Sequence, residues 1–375
     1  MSACDFRWLR TGDDAFAAML ADIAAARRTV QFETYTLAYS PVGERFLAAL
    51  TEAARRGVQV RVLVDAFGSF NLPDSFWDPL RRAGGDCRWF NPLTLRRLTF
   101  RDHRKLLVCD DAVAFVGGFN IAAEYEGDGV ARGWRDVGLR LTGPLVGSLA
   151  ASFDELFERH DFEHPPFTRL RPATTRRSLV CADGEVLLNG PGRGPNAFKR
   201  ALLRDLEAAR DVQIVAAYFL PIGRLRRALA RTARRGARLE LVLAGKSDVW
   251  LSQLATRALY RRLLIAGAAI HEYQPQVLHS KLIVVDGAVY VGSANLDPRS
   301  LHINYELMLR LTQPAVVAEA RDIVADHRRH SRRIELAGWQ ASRTAWARFK
   351  GRWACFLLGR LDRLVMFRQL RELQG

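Results

Sequence analysis

Lysine is the scarce residue of this chain: of 56 basic residues only five are lysine, namely Lys105, Lys199, Lys246, Lys281 and Lys350, and the rest are arginine. A lysine retained against that preference calls for a chemical reason. Cysteine is also sparse. Five cysteines are scattered without C-x-x-C spacing, which argues against a disulfide framework and against a cysteine zinc site, and reduced, cytosol-facing thiols are the expectation. No window approaches the 18 or so uninterrupted apolar residues of a spanning helix, and the opening MSACDFRWLRTGDD has charges where a secretory leader needs apolar residues. Any encounter with a membrane is therefore expected from its surface.

What the chain does have is length, apolar residues and positive charge. Its 375 residues, 49% hydrophobic, suffice for two domains or one bilobal unit with a substantial core. The formal net charge of +16 favours anionic partners, whether nucleic acid, anionic lipid or phosphorylated small molecules, without choosing among them.

The chain also repeats itself. RTVQFETYTLAYSPVGERFLAALTEAARRGVQVRVLVD (28–65) and RDVQIVAAYFLPIGRLRRALARTARRGARLELVLAG (210–245) both read as strand, turn, amphipathic helix ending Ala-Arg-Arg-Gly, and strand. Gly57 and Gly236 are placed to supply left-handed helix caps, and the arginines before them to complement the helix dipole from solvent. RRAGGDCRWFNP (81–92) echoes LIAGAAIHEYQP (264–275). Alternating strands and helices indicate an α/β fold of two pseudo-twofold-related repeats, each a mixed, mostly parallel sheet flanked by helices. The expected boundaries are a first half over 1–160, a Pro-, Arg- and Thr-rich linker over 161–184, a second half over 185–335, and a basic aromatic segment over 336–375.

At the same place in each repeat stands a matching triplet, His103, Lys105 and Asp110 in HRKLLVCD, and His279, Lys281 and Asp286 in HSKLIVVD. Chance would supply roughly 0.007 such matches per chain of this composition. On a strand, residues two apart share a face, so histidine and lysine point the same way. A second strand then leads to a small-residue loop carrying Asn120 or Asn295, and Ser293 with the two asparagines can donate hydrogen bonds to oxyanions. Two facing halves thus offer two imidazoles and two ammonium groups, a set suited to holding a phosphodiester, attacking phosphorus and protonating the leaving alcohol. Asp110 and Asp286 are counted among the catalytic candidates as part of the triplet, although their place in a turn favours a structural role.

The duplicated H-x-K-x4-D motif followed by VGGFN or VGSAN resembles the phospholipase D superfamily. Over about 30–335 the chain is similar to bacterial cardiolipin synthases, through ETYTL, HRK with VGGFN, and VGSANLDPRSLHINYEL. The resemblance implies the phospholipase D fold and phosphatidyl transfer through a phosphohistidine, with no cofactor and no metal. It implies His103 and His279 as nucleophile and general acid, with His103 favoured as the attacking residue by analogy. Lys105 and Lys281 become phosphate ligands, Asn120, Asn295 and Ser293 supporting donors, and Asp136 and Glu306 the acids that orient the histidines. Gly118 stands where the second half has Ser293, so the two cradles are not equivalent. The remaining histidines are read as structural.

For the substrate the resemblance favours phosphatidylglycerol at a membrane surface, from the cytoplasmic face of the bacterial inner membrane, and no nucleic acid. A hydrolase or a nucleic-acid phosphodiesterase of the same superfamily are the alternatives. The lipid reading draws support from the C-terminal aromatic and aliphatic residues Trp339, Trp346, Phe349, Trp353, Phe356, Leu357, Leu364 and Phe367, which recur at largely helical intervals among arginines as in an interfacial amphipathic helix. Phe67, Phe70, Leu72, Phe76, Trp77, Trp250 and Leu251 are candidates either for an acyl entrance or for core.

Overall fold

Apolar residues that alternate along the strands build two sheets, and amphipathic helices cover their outer faces. The computed structural model describes residues 4–92, 100–160, 177–181, 184–191, 196–221 and 223–361. The first half runs β1 (Asp5–Leu9), α1 (Gly12–Ala25), β2 (Thr29–Thr34), α2 (Pro41–Arg55), β3 (Gln59–Asp65), α3 (Asp78–Arg82), β4 (Asp86–Phe90), β5 (Leu106–Cys109), β6 (Val113–Gly117), β7 (Gly138–Thr142) and α4 (Leu145–Phe157). The second runs β8 (Arg177–Cys181), β9 (Gly184–Asn189), α5 (Ala197–Leu206), β10 (Asp211–Ala216), α6 (Gly223–Arg234), β11 (Arg238–Ala244), α7 (Trp250–Ile265) and β12 (Ala269–Tyr273). It continues with β13 (Lys281–Val285), β14 (Ala288–Gly292), α8 (Pro298–His302), β15 (Glu306–Leu311), α9 (Pro314–Arg329) and β16 (Ser331–Ile334). Two further helices, α10 (Leu336–Ala341) and α11 (Ala345–Phe356), follow.

The first sheet has the order β1-β7-β6-β5-β2-β3-β4, and the second repeats it as β9-β15-β14-β13-β10-β11-β12 with β8 and β16 added at its edges. The duplication seen in the sequence is thus a duplication of topology. Both sheets are mixed, but parallel pairing does not predominate. It is confined to β2-β3-β4 and β10-β11-β12, where helices make the crossovers, while the strands carrying the histidine motifs pair antiparallel through tight hairpins. Of the segment expected as a linker, 161–176 and 182–183 lie outside the described residues. Arg177–Cys181 is the edge strand β8, antiparallel to β9; its alternating Ser-Leu-Val-Cys run was masked by the Pro- and Arg-rich composition before it.

Strand alternation divides the core. Leu106 and Val108 of β5 meet Leu282 and Val284 of β13 in a central cluster shared by both halves and closed by α4 and α9, whereas Leu107 and Ile283 face outward into separate clusters under the outer helices. The two halves therefore share one interior, and truncating a central residue such as Leu282 to Ala should cost about 2–5 kcal/mol.

The helix ends behave as the repeat predicts, with Gly57 and Gly236 at φ 86° and 88°. Arg56 and Arg235 do more than meet solvent. The Arg56 guanidinium donates to the carbonyls of Ile23, Ala24 and Ala26 at the end of α1, and Arg235 likewise to Leu206 and Ala209 after α5. Each thus satisfies the orphan acceptors of a neighbouring helix.

Candidate active site

Two short rungs of backbone pairing stitch the halves together at one end of the sheets. Asp102 pairs with Tyr305 and Arg135 pairs with Leu278, each as an isolated parallel bridge. In the first, the His103 N–H donates to the Tyr305 carbonyl at 3.0 Å; in the second, the His279 N–H donates to the Arg135 carbonyl at 2.8 Å. The residues after Tyr305 and Arg135 are Glu306 and Asp136. Each rung therefore sets the histidine of one half beside the carboxylate of the other. His103 Nδ1 lies 3.1 Å from Glu306 Oε2, and His279 Nδ1 lies 2.6 Å from Asp136 Oδ2.

With Nδ1 engaged, Nε2 of His103 is the ring atom left for chemistry, whereas both ring nitrogens of His279 also lie within reach of the Lys281 ammonium, Nδ1 at 2.8 Å. Both histidines, with Asn120 and Asn295, line a cavity of about 610 Å³ between the halves. Lys105 Nζ donates to the His103 carbonyl at 2.8 Å, and Lys281 Nζ lies 3.0 Å from His279 Nε2. Both lysines are buried. Asn120 donates to the Tyr125 hydroxyl at 2.8 Å, and the Asn295 side-chain oxygen makes no hydrogen bond among the described residues.

Burial, assisted by the other ammonium, brings Lys105 down to about 7, and burial brings Lys281 down to about 8. Two buried ammonium groups near one another favour an anionic ligand, which would restore both protons. Burial lowers His103 in spite of the nearby Glu306, and burial with the two lysines holds His279 well below the ordinary imidazole value. The carboxylates differ. Burial lifts Asp136 to about 7 against the pull of Lys281; at Glu306 burial is outweighed by His103 and the hydroxyls of Ser293 and Ser300, which hold it below its ordinary value.

That asymmetry has a visible cause. Ser293 does not face the cavity as a phosphate donor: its hydroxyl donates to Glu306 Oε2. In the first half the equivalent residue is Gly118, where a Cβ would lie 2.2 Å from Asp136 Oδ1, so close approach of the carboxylate requires glycine. Asp110 and Asp286 are not at the site either. Five residues of strand beyond the lysine, roughly 16 Å on, each sits at a hairpin turn with φ of 56° or 44°. The Asp110 carboxylate accepts from the N–H groups of Arg27, Arg28 and Thr29, and Asp286 accepts from Arg210 and Asp211. They clamp the hairpin to the neighbouring strand and do not line the cavity.

Aromatic residues complete the walls. Tyr35 packs edge-on against His103 with centroids 4.9 Å apart, and its ring lies 5.1 Å from Lys105 Nζ. Tyr218 stands against His279 at 6.4 Å, and Tyr125 and Trp134 flank the same ring. Both Tyr35 and Tyr218 follow the same strand of their repeat but are one position out of register, Tyr218 standing where the first half has Thr36, so the repeat did not mark them as a pair. Tyr125 and Trp134 have no counterpart to mark them. Phe70 lies at the rim of the cavity, whereas Phe76 and Trp77 are core. Of the histidines read as structural, His327 is held between Ser280 and the Ile323 carbonyl, and His160 and His330 bond to local carbonyls; His164 lies outside the described residues. Among the described residues no cluster of three or more His, Cys, Asp or Glu could hold a metal ion.

The family model described as cardiolipin synthase, phospholipase D-like domain, matches residues 19–160 and 202–327, which takes in both histidine motifs. The chain belongs to the cardiolipin synthase family. A cardiolipin synthase of Geobacillus kaustophilus is 32% identical over 345 residues, covering 88% of this chain and 68% of that one. Cardiolipin synthase B of Salmonella typhi is 35% identical, with 80% and 75% covered, and cardiolipin synthase A of Pseudomonas aeruginosa is 31% identical, with 90% and 72% covered. Membership of this family makes the chain an enzyme. The fold is shared with phosphatidylserine synthase of Haemophilus influenzae, at a TM-score of 0.73 and 14% identity over 96% of this chain and 94% of that one. Polyphosphate kinase of Porphyromonas gingivalis aligns at 0.60 and 16% identity, over 89% and 49%.

Proposed function

We propose that this enzyme makes cardiolipin from phosphatidylglycerol by two in-line displacements at phosphorus. Nε2 of His103 attacks the phosphodiester; an N–P bond forms as the P–O bond to glycerol breaks, and His279 gives its proton to the departing glycerol oxygen. A second phosphatidylglycerol then enters, His279 takes the proton of its hydroxyl, and that oxygen attacks phosphorus as the N–P bond breaks. Lys105 and Lys281 hold the phosphate oxygens, with Asn120 and Asn295 as further ligands.

The observation that carries this reading is the exchange of carboxylates. Glu306 and Asp136, each from the opposite half, engage Nδ1 of His103 and His279, and both histidines line one cavity. The serine hydroxyls that keep Glu306 anionic support His103 as the nucleophile, because an ionised partner stabilises the imidazolium phosphate that forms. His279, depressed by burial and then by its lysine neighbours, is the stronger acid and suits the leaving group. The enzyme works from the membrane surface, at the cytoplasmic face of the inner membrane; no helix among the described residues is long and apolar enough to cross one.

Mass spectrometry of products formed from phosphatidylglycerol vesicles tests the reading. Cardiolipin with released glycerol is expected. Phosphatidic acid alone would make the enzyme a hydrolase, and untouched lipid with cleaved oligonucleotide would make it a nucleic-acid phosphodiesterase.

A further inference from the structure

Helix α11 is built inside out for a helix in water. Its small residues Gly351 and Ala354 are buried against α7, while Trp346, Phe349, Trp353 and Phe356 stand 64, 53, 50 and 49% exposed. Their spacing of three, four and three residues places them along one face. Aromatic surface is otherwise the first to be buried, so a face of four half-bare rings marks an interaction surface.

The direction of α11 gives that face its meaning. Trp339 packs on Tyr260 at 4.9 Å, Gly351 lies against Ala258 and Leu254, and Cys355 Sγ donates to the Ala255 carbonyl. The C-terminal segment thus descends antiparallel along α7 toward Trp250, the first residue of that helix. Trp250 is 65% exposed, and Val249 before it lines the mouth of the catalytic cavity together with the exposed Tyr39 and Phe70. A ridge of aromatic rings therefore runs from the mouth of the cavity along α11.

Beside the ridge lie two adjoining grooves of about 530 and 950 Å³, which share Arg226, Leu259 and Arg262. Arg348 and Arg352 of α11 line the larger one, and among the described residues no acidic side chain lines either.

We propose that the aromatic ridge and the arginine groove together form the surface by which the enzyme docks on an anionic bilayer, with the cavity mouth held at the lipid. The rings enter the boundary between headgroups and acyl chains, and the arginines take lipid phosphates. The proposal rests on the lipid-substrate reading for the role of the mouth, but not for the surface itself. A second copy of the chain would bring the same positive face. The chain's own residues 362–375 carry three arginines against Asp362 and Glu372 and supply no counter-charge.

Two variants of the full chain test this, the triple W346S, F349S, W353S and the pair R348E, R352E, all at surface positions, with circular dichroism as the check on folding. Co-sedimentation with phosphatidylglycerol vesicles should weaken about tenfold or more in each. Binding of the unaltered enzyme to phosphatidylcholine vesicles should be weaker than to phosphatidylglycerol. Turnover of a short-chain, monomeric phosphatidylglycerol should be retained. Unchanged vesicle binding in both folded variants overturns the proposal, as does loss of oligonucleotide binding with vesicle binding intact. If one variant fails to fold, the other decides alone. Loss of vesicle binding in an enzyme that transforms no lipid would leave the docking surface standing and remove the lipid-synthase reading instead.

Discussion

His103 and His279 differ from the other histidines in what engages them, a buried carboxylate from the opposite half. His103→Ala or His279→Ala should reduce turnover of phosphatidylglycerol at least about 10³-fold with an unchanged melting temperature. Residual activity near the wild-type level in either variant contradicts a paired-histidine mechanism. Glu306→Gln removes the negative charge that supports the His103 imidazolium, so kcat should fall about 10²–10⁴-fold. The acid limb of the pH–rate profile should move to lower pH, because Glu306 raises the His103 value and its loss lets that value drop further. An acid limb that stays in place would mean that Glu306 acts through shape alone.

The lysines carry a pH prediction of their own. Both have an ordinary value of 10.5 but stand at about 7 and 8 in the fold. Between those limits the unfolded chain binds more protons than the folded one, so their contribution makes the unliganded protein more stable as pH rises from about 7 toward 10. A bound phosphodiester lifts the folded values back and takes up protons. Its stabilising effect should therefore be largest near pH 7 and shrink by pH 9. Melting shifts induced by dimethyl phosphate across that range measure this, and a shift that grows with pH would contradict phosphate binding by Lys105 and Lys281.

At the scale of the elements, the third letter of the repeated motif changes its meaning. Asp110 and Asp286 hold hairpin turns in left-handed backbone and gather the N–H groups at the start of β2 and β10. Asn tolerates the same backbone, so Asp110→Asn or Asp286→Asn isolates the carboxylate. Each should lower stability by about 1–2 kcal/mol in a denaturant titration while kcat stays within about twofold. A large loss of kcat in a stable variant would return these aspartates to the catalytic set. The strands and helix caps were legible because period-two apolar runs and Ala-Arg-Arg-Gly endings are local signals. Ser293 was read as a phosphate donor because its position in a small-residue loop says nothing of the direction of its hydroxyl.

Over the whole molecule, neither half contains a complete histidine–carboxylate pair, since each histidine meets its carboxylate from the opposite half. Asp136→Asn should therefore weaken turnover alone but add little on top of His279→Ala, a non-additivity expected of residues that act as one unit. Fully additive losses in that double-mutant cycle would break the link between them. The shared interior explains why: β5 and β13 present Leu106 and Leu282 to the same cluster, so the halves cannot separate without exposing it.

The sequence by itself determined the duplication, the α/β class and the two histidine–lysine pairs, because repeats, strand periodicity and residue spacing are properties of a chain read in one dimension; Asp136 and Glu306 became candidates only through the resemblance to the phospholipase D superfamily. Only the tertiary structure decided that the carboxylates are exchanged between halves, that Ser293 serves Glu306, that Asp110 and Asp286 stand apart from the cavity, and that parallel pairing is the minority. Those are matters of which segments meet and which way side chains point once two sheets have closed on a common core, and burial then sets the charge of each group.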